Sequence, residues 1–325
     1  MLDYKPNIVL SNEEFNVVGK RPVRPDGADK VTGKAKYSAD MILPGMLYGR
    51  VLRSPHAHAK IKSIDISKAL AHPDVKAIIT GSELTQFAGR ASELVEGAMA
   101  NMKFLSNNIM ATDKALYKGH PIAALAASNA HVAEQALSLI EVEYEVLPPV
   151  MHAKDAMKED STLVHERLAA MTTASIRAGG VLDDDDAANG TNIANRFDFT
   201  LGDIEAGFKQ ADVVVERNAS TVAVHQGYIE PHSGTAMWHA DGNLTIWSSS
   251  QGHFTVRENT ARLVGIPVSK VNAIPMEIGG GFGAKLAVYC EPLAALLAKK
   301  ADAPVKVTMS RTEVFEATGP TSGTN

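Results

Sequence analysis

The chain has 325 residues, 45% hydrophobic and 21% charged, the make-up of an ordinary globular protein with room for two domains. A net charge of −5 excludes a basic field for nucleic acid or an anionic membrane, and no apolar run reaches the roughly 18 residues of a membrane span. A single cysteine, Cys290, excludes an internal disulfide framework, a Cys-rich zinc site or an iron–sulfur cluster within this chain. Its start shows no basic-then-apolar signal pattern, so the expected location is cytoplasmic.

Residues 1–15 read as an N-terminal extension, and 16–150 as a first domain of mixed helix and strand. "MLYGRVLRSPHAHAKIKSIDIS" (46–67) is strand-like, with Ser54-Pro55-His56 as a turn or bulge, and "PDVKAIITG" (73–81) is a strand ended by glycine. "GHPIAALAAS" (119–128) is a nearly continuous apolar run, which suits a buried strand. "HVAEQALSL" (131–139) carries helical spacing. In "IEVEYEV" (140–146) Ile140, Val142, Tyr144 and Val146 alternate with glutamates, a half-buried strand stopped by Pro148-Pro149. His56 and His58 read as structural, since an i, i+2 pair on one strand face needs further metal ligands and none cluster in sequence.

Residues 151–200 read as a linker containing "DDDD" (183–186) and "ANGTN" (188–192); the acidic quartet is a solvated loop by like-charge repulsion. The second domain starts near Phe197 and occupies 201–325. "ADVVVERNAS" (211–220) and "NLTIWSSSQ" (243–251) are strand-like, and "FTVRENTARLVG" (254–265) is a helix with Gly265 past its end. "KVNAIPMEI" (270–278) is a strand. "EPLAALLAKKA" (291–301) is a helix, with Glu291 and Pro292 in its first turn and Lys299 and Lys300 at the negative end of its dipole. "PVKVTMS" (304–310) is the strand that follows.

Between strand and helix lies "EIGGGFGAK" (277–285), glycine-rich backbone that a fold tolerates where the main chain turns sharply or approaches something closely. It is no P-loop: Lys285 follows Ala284 and precedes Leu286, so the second glycine and the hydroxyl are both missing. Gly279, Gly281 and Ala284 formally meet a dinucleotide-binding pattern. Yet "KLAVYC" separates them from the helix, and Ser310-Arg311 stands where an acidic residue should end the next strand.

The surrounding segments carry more information. "EIGGGFGAK" resembles the glycine signature of the xanthine dehydrogenase/aldehyde oxidase family of molybdenum hydroxylases. So do "SSSQ" ending in Gln251, "HQGYIEPHSGTA" (225–236), "RVLRSPHAHAKI" and "GHPIAALAAS", in the family's order over about residues 16–323. The resemblance implies an α+β (mixed α/β) chain, with an α/β-hammerhead domain followed by the first part of a molybdopterin-binding domain. The implied cofactor is molybdenum bound to molybdopterin, in the cytosine dinucleotide or a simpler form. The backbone of Gly281, Phe282 and Gly283 would then lie against its ligands, Phe282 would stand next to the metal, and the Gln251 amide would reach an oxygen ligand. Leu286 would line the substrate pocket, in a place that purine-oxidising relatives give to an acidic residue. That departure points away from xanthine and toward an aldehyde, an N-heterocycle, an aromatic acyl-CoA or carbon monoxide.

The family's reaction is hydroxylation of an electron-poor carbon with oxygen from water. Its glutamate base and most pterin contacts belong to sequence beyond residue 325, so no catalytic base is expected in this chain. The implied partners are a C-terminal molybdopterin-binding chain, a [2Fe–2S] subunit and an FAD subunit; whether the large subunit is split between two chains or truncated here, the chain alone is expected to be inactive. Two alternatives remain at this stage: a non-catalytic assembly subunit of such a complex, and a nicotinamide-dependent dehydrogenase.

Overall fold

A computed structural model describes residues 15–18, 20–87, 92–95, 98–166, 171–172, 190–193, 195–196, 201–319 and 321–325. The extension up to residue 14, the acidic quartet 183–186 and the boundary expected near Phe197 lie outside the described residues. Residues 1–36 and 37–325 form two units. In the first, a short helix, Gly27–Val31, follows an Arg24–Asp26 ion pair of 2.5 Å.

The second unit is mixed α/β and is built on a seven-stranded sheet. In chain order its strands and their neighbours are β1 (Leu47–Arg53), β2 (Ala59–Asp65), β3 (Val75–Thr80), β4 (Lys114–Ala115), β5 (Pro121–Ala127) and β6 (Glu141–Val146). They continue with β7 (Ser233–Trp238), β8 (Leu244–Ser248), β9 (Val271–Pro275) and β10 (Val305–Thr308). The large sheet has the order β9-β8-β7-β10-β1-β5-β3, and a smaller sheet has the order β4-β2-β6. The large sheet therefore runs without a break across the expected linker. β1 pairs in parallel with β10, Leu47 opposite Val305, and antiparallel with β5, Val51 opposite Ala124.

The run "PIAALAA" is buried at every position because β5 is covered on both faces. Ala124 and Ala126 share a core with Val51, Ile79, Ile246 and Val305 under helix α3 (Glu291–Ala301), which contributes Leu293, Ala294, Leu297 and Ala298. The alternate residues Ala123, Leu125 and Ala127 pack with Ile78 and with Ala133 and Ala136 of helix α1 (Ala130–Leu137). Small side chains on β5 let a helix approach from either side. In β6 the glutamates face outward, where Glu141 meets Lys68 and Glu145 meets Lys60 and Lys62. Helix α2 (His253–Val264) ends where Gly265 takes a left-handed φ of 72°, and helix α4 (Arg311–Ala317) opens on a Ser310–Glu313 capping box. The sequence patterns missed α4, β7 and the helix Met102–Ile109.

One expected strand is absent. Residues 211–220 form no strand and pair with none, and Val213, Val214 and Val215 are 77%, 59% and 68% exposed. β-Branched residues favour a strand only when a neighbour takes up their backbone groups. The pairing near this segment consists of two isolated bridges, Thr221 with Thr324 and Val224 with Thr321. With so little packed against them, each of the three valines changed to Thr should alter stability by no more than about 0.5 kcal/mol in urea unfolding of the chain. A loss above about 1.5 kcal/mol would mean that the segment is buried in solution.

The strand directions decide what shares an edge. β8 and β9 are parallel, so the turns that follow Ser248 and Pro275 leave the sheet side by side. β7 is antiparallel to β8 and to β10, which brings the start of β7 and the end of β10 to the same edge. β1, parallel to β10, ends there too, and β5 begins there. All five segments that carried the resemblance thus meet along one edge. Backbone bonds tie two of them together, Ser54 N–H to His120 O and Gly119 N–H to Ser54 O, both 2.9 Å.

Candidate functional site

The site is the meeting of two turns at this edge, 249–252 after β8 and 276–290 after β9. Gln251 lies on the first. Its side-chain oxygen Oε1 accepts the N–H of Gly283 at 2.9 Å and that of Lys285 at 3.2 Å. Its backbone N–H donates to Lys285 O at 2.9 Å, and the Ser250 hydroxyl donates to the same carbonyl at 2.9 Å. Two donors on Oε1 fix which way the amide points, so its NH2 group is the end left to donate elsewhere.

The glycine stretch is held in an unusual conformation. Gly280, Phe282 and Gly283 have φ of 97°, 51° and 93°, all in the left-handed region. For Phe282 this costs about 1–2 kcal/mol, a strain found where surroundings and function demand it. Alternation of such residues turns successive N–H groups to one side, the geometry of an anion-binding nest. Within the described residues the N–H groups of Gly281 and Phe282 have no hydrogen-bond acceptor, while those of Gly279, Gly283, Ala284 and Lys285 do. The Phe282 ring is 75% exposed and Leu286 is 50% exposed. Helix α2 begins directly after Gln251, with Gly252 as an N-cap that offers no side chain, so its positive end lies beside this turn.

Different constraints account for the glycines individually. A Cβ on Gly279 would stand 2.6 Å from Glu230 Cβ, and one on Gly281 would stand 2.7 Å from Gln251 Cδ. A Cβ on Gly283 would meet nothing within 4 Å, so there the positive φ alone selects glycine.

Beneath the turn lies a buried ion pair. Lys285 Nζ, with its side chain fully buried, is 2.7 Å from Glu230 Oε2 and 5.0 Å from the centre of the Tyr228 ring. Glu230 Oε2 also accepts the Gly279 N–H at 2.7 Å, and Oε1 accepts the Ser249 hydroxyl at 2.5 Å. Burial pushes the Lys285 ammonium down from its usual range, against the pull of Glu230. A sequence signal existed: Lys285 is a lone charge inside the apolar run "AKLAV", where a lysine stays buried only with a partner. Behind the pair, Tyr228 OH bonds His232 Nε2 at 2.7 Å and Thr318 Oγ1 at 3.0 Å.

The histidines of the first segment stay apart from this site. The His56 ring packs edge-on against Tyr144, and His58 Nδ1 is 2.8 Å from Pro148 O. The nicotinamide alternative gains no support from the loop, because the helix opens only at Glu291, well after Ala284.

Comparison with known proteins decides the family. Residues 32–148 match the family model "Aldehyde oxidase and xanthine dehydrogenase, a/b hammerhead domain", and residues 186–325 match "Molybdopterin cofactor-binding domain". The chain belongs to the xanthine dehydrogenase/aldehyde oxidase family. Among family members it is 33% identical to a probable xanthine dehydrogenase subunit of Bacillus subtilis, over 90% of this chain and 35% of that one. It is 32% identical to the nicotinate dehydrogenase large molybdopterin subunit of Eubacterium barkeri, over 93% of this chain and 63% of that one. The structure superposes on quinoline 2-oxidoreductase from Pseudomonas putida 86 with a TM-score of 0.73 and 28% identity, over 91% of this chain and 35% of the other. The chain thus spans from about a third to somewhat under two thirds of the length of these relatives. Among the described residues no helix is long and apolar enough to cross a membrane.

Proposed function

We propose that this chain is the N-terminal half of the molybdopterin-binding subunit of a cytoplasmic molybdenum hydroxylase that acts on an aldehyde, an N-heterocycle or an aromatic substrate. The observation that carries the reading is the orientation of Gln251. Its oxygen is held by two loop N–H groups, so its NH2 presents donors at the edge where the Gly281 and Phe282 N–H groups also lack acceptors. A cluster of neutral donors beside a helix N-terminus suits the oxygen and sulfur ligands of an anionic metal centre. The residues present therefore fit the molybdenum cofactor, with Gln251, Gly281, Phe282 and Gly283 as its contacts on this chain. When bound, the cofactor supplies two-electron oxidation of the substrate with oxygen from water.

The chain's own part is positioning. Gln251 and the loop backbone orient by donating hydrogen bonds, and none of these groups has to take up a proton. Leu286, apolar and half-exposed at the end of the loop, offers a wall rather than a charge, which favours a substrate other than a purine. The proton-accepting base and the rest of the pterin seat are assigned to family sequence outside residues 1–325, and the [2Fe–2S] and FAD carriers to partner chains; one cysteine cannot hold a cluster. Ile229, Phe254, Phe282 and Leu286, each next to or within a site segment, are half or more exposed, as befits a face that a C-terminal molybdopterin-binding chain covers. The cytosine dinucleotide form of the pterin belongs to the same reading.

Two substitutions at position 251 separate its two tasks. A Glu there still accepts the Gly283 and Lys285 N–H groups but loses the NH2 donors and places negative charge toward an anionic centre. Ala loses both. In the assembled complex both variants should slow reduction of molybdenum by substrate at least about tenfold, equal to about 1.4 kcal/mol. In urea unfolding of the chain alone, Gln251→Glu should match the wild type while Gln251→Ala loses about 1–2 kcal/mol. Full single-turnover rates in Gln251→Glu would reduce Gln251 to a brace for the loop. The chain purified alone should hold no molybdenum by elemental analysis, and stoichiometric metal in a verified monomer would overturn the division between chains.

A further inference from the structure

Glu230 and Lys285 belong to different sequence segments and are buried at 8% and 1% exposure. Burying an ion pair seldom adds net stability over a well-packed apolar pair of the same size, so its presence calls for another account. The hydrogen bonds supply one. Glu230 holds the entrance of the loop through the Gly279 N–H, and its own backbone N–H donates back to Gly279 O at 3.2 Å. Lys285 is the exit of the loop, and its ammonium ends on the same Oε2 that holds the entrance. Its carbonyl takes the Ser250 hydroxyl and the Gln251 N–H, and its N–H donates to Gln251 Oε1. Ser249 joins the other oxygen of Glu230 to the carbonyl of Glu277 at 2.9 Å. The two ends of the 279–285 loop are thus fastened to one carboxylate, and the Gln251 turn is fastened to the loop's exit.

We propose that the Glu230–Lys285 pair is a positioning clasp: it closes the glycine loop on itself, holding Phe282 and Gly283 in their left-handed conformations and the Gln251 amide in its orientation. Five consecutive strained or permissive residues, 279–283, would otherwise sample many conformers, since glycine has the most freedom to lose. A single buried carboxylate gripping both ends removes that freedom without placing any group on the cofactor side. The inference that this shape serves a cofactor rests on the function proposed above; the clasp itself does not.

The test uses the 325-residue chain with Glu230→Gln, Lys285→Met and the double variant, read by hydrogen exchange at single-residue resolution and by urea unfolding. Lys285→Met leaves a lone buried carboxylate and should be the least stable; the double variant removes both charges and should regain much of that stability. The clasp predicts that exchange at the Gly283 and Ala284 amides rises at least tenfold in Lys285→Met and stays raised in the double variant, although its stability has recovered. Amides of β1 and β5 should keep wild-type protection in the double variant. Wild-type exchange at Gly283 and Ala284 in the double variant would overturn the clasp and leave the pair as packing. If Lys285→Met does not fold, the Glu230→Gln and double variants still decide. Molybdenum content of the assembled complex then tests the reading separately: raised loop exchange together with full molybdenum would keep the clasp and sink the loop as the cofactor's seat.

Discussion

Lowering the pH from 7 to 4.5 is expected to remove about 5 kcal/mol of folding stability through two buried histidines, His120 and His232. Burial holds the His120 imidazole down at about 4 and that of His232 at about 3, where Lys285 nearby adds repulsion. The geometry shows why the charged form is excluded. His120 Nδ1 accepts the Leu116 N–H at 3.1 Å, so Nε2 carries the proton and donates to Asn107 O at 2.7 Å. Both nitrogens are used by the neutral ring, and a proton on Nδ1 would break the first bond. His232 is enclosed by Tyr228 and Tyr289, each edge-on to it. A histidine whose folded pKa lies below its unfolded value of about 6.5 leaves stability intact above that value. The stability is then lost as pH falls toward the folded pKa, because the unfolded chain binds the proton first. Each group contributes about 1.4 kcal/mol per pH unit within its window, so urea unfolding between pH 6 and 4.5 should show a slope near about 2.7 kcal/mol per unit. Against an ordinary domain stability of about 5–15 kcal/mol, that loss is at least about a third of the total. His120→Gln and His232→Gln should each flatten the slope by about half. An unchanged slope in both variants would mean that other groups carry the acid sensitivity.

What the sequence made legible was what depends on neighbours in sequence. The apolar run at 121–127, the glycine after helix α2, and Pro292 with Lys299 and Lys300 at opposite ends of helix α3 all act within a few residues of themselves. Lys300 does more than favour a dipole, since it also donates to Ile78 O at 2.7 Å and pairs with Glu83. Partners distant in sequence were not legible. Leu47 lies beside Val305 in one sheet, and no local pattern announces a pairing of that range. Val213, Val214 and Val215 have strand propensity and no ladder among the described residues to use it. At the site, the motif residues Gln251, Gly281, Phe282 and Gly283 were found by resemblance, and the structure brings them together. The acceptor role of Gln251 Oε1 could not be read beforehand, because it needs the loop's backbone in place. The same holds for Glu230 and Lys285, whose meaning lies in a carboxylate shared by both ends of a loop.

Alanine at Gly281 and at Gly283 should destabilise the chain for different reasons, and a double-mutant cycle with Gln251 should tell them apart. Gly281 does not have a positive φ; it is glycine because the Gln251 side chain fills the space its Cβ would need, 2.7 Å from Cδ and 3.0 Å from Cγ. Gly281→Ala must displace that amide, which forfeits the bonds to the Gly283 and Lys285 N–H groups, a loss of about 2 kcal/mol. Gly283→Ala meets open space and costs about 1–2 kcal/mol through its φ of 93° alone. Once Gln251 is Ala the space at Gly281 is vacant, so adding Gly281→Ala to Gln251→Ala should cost almost nothing further, a coupling of about 2 kcal/mol. Adding Gly283→Ala to Gln251→Ala should still incur most of its backbone strain, leaving a coupling less than about half as large. Urea unfolding of the single and double variants reads this directly, with no cofactor or partner required. Equal coupling in both cycles would mean that the loop yields as a whole, and that Gln251 does not sit against Gly281 in solution. In the assembled complex both alanines should also lower molybdenum content, Gly281→Ala by turning the Gln251 donors away and Gly283→Ala by reorienting the adjacent backbone. Full molybdenum in Gly281→Ala despite the expected loss of stability would show that the Gln251 amide braces the loop without contacting the metal's ligands.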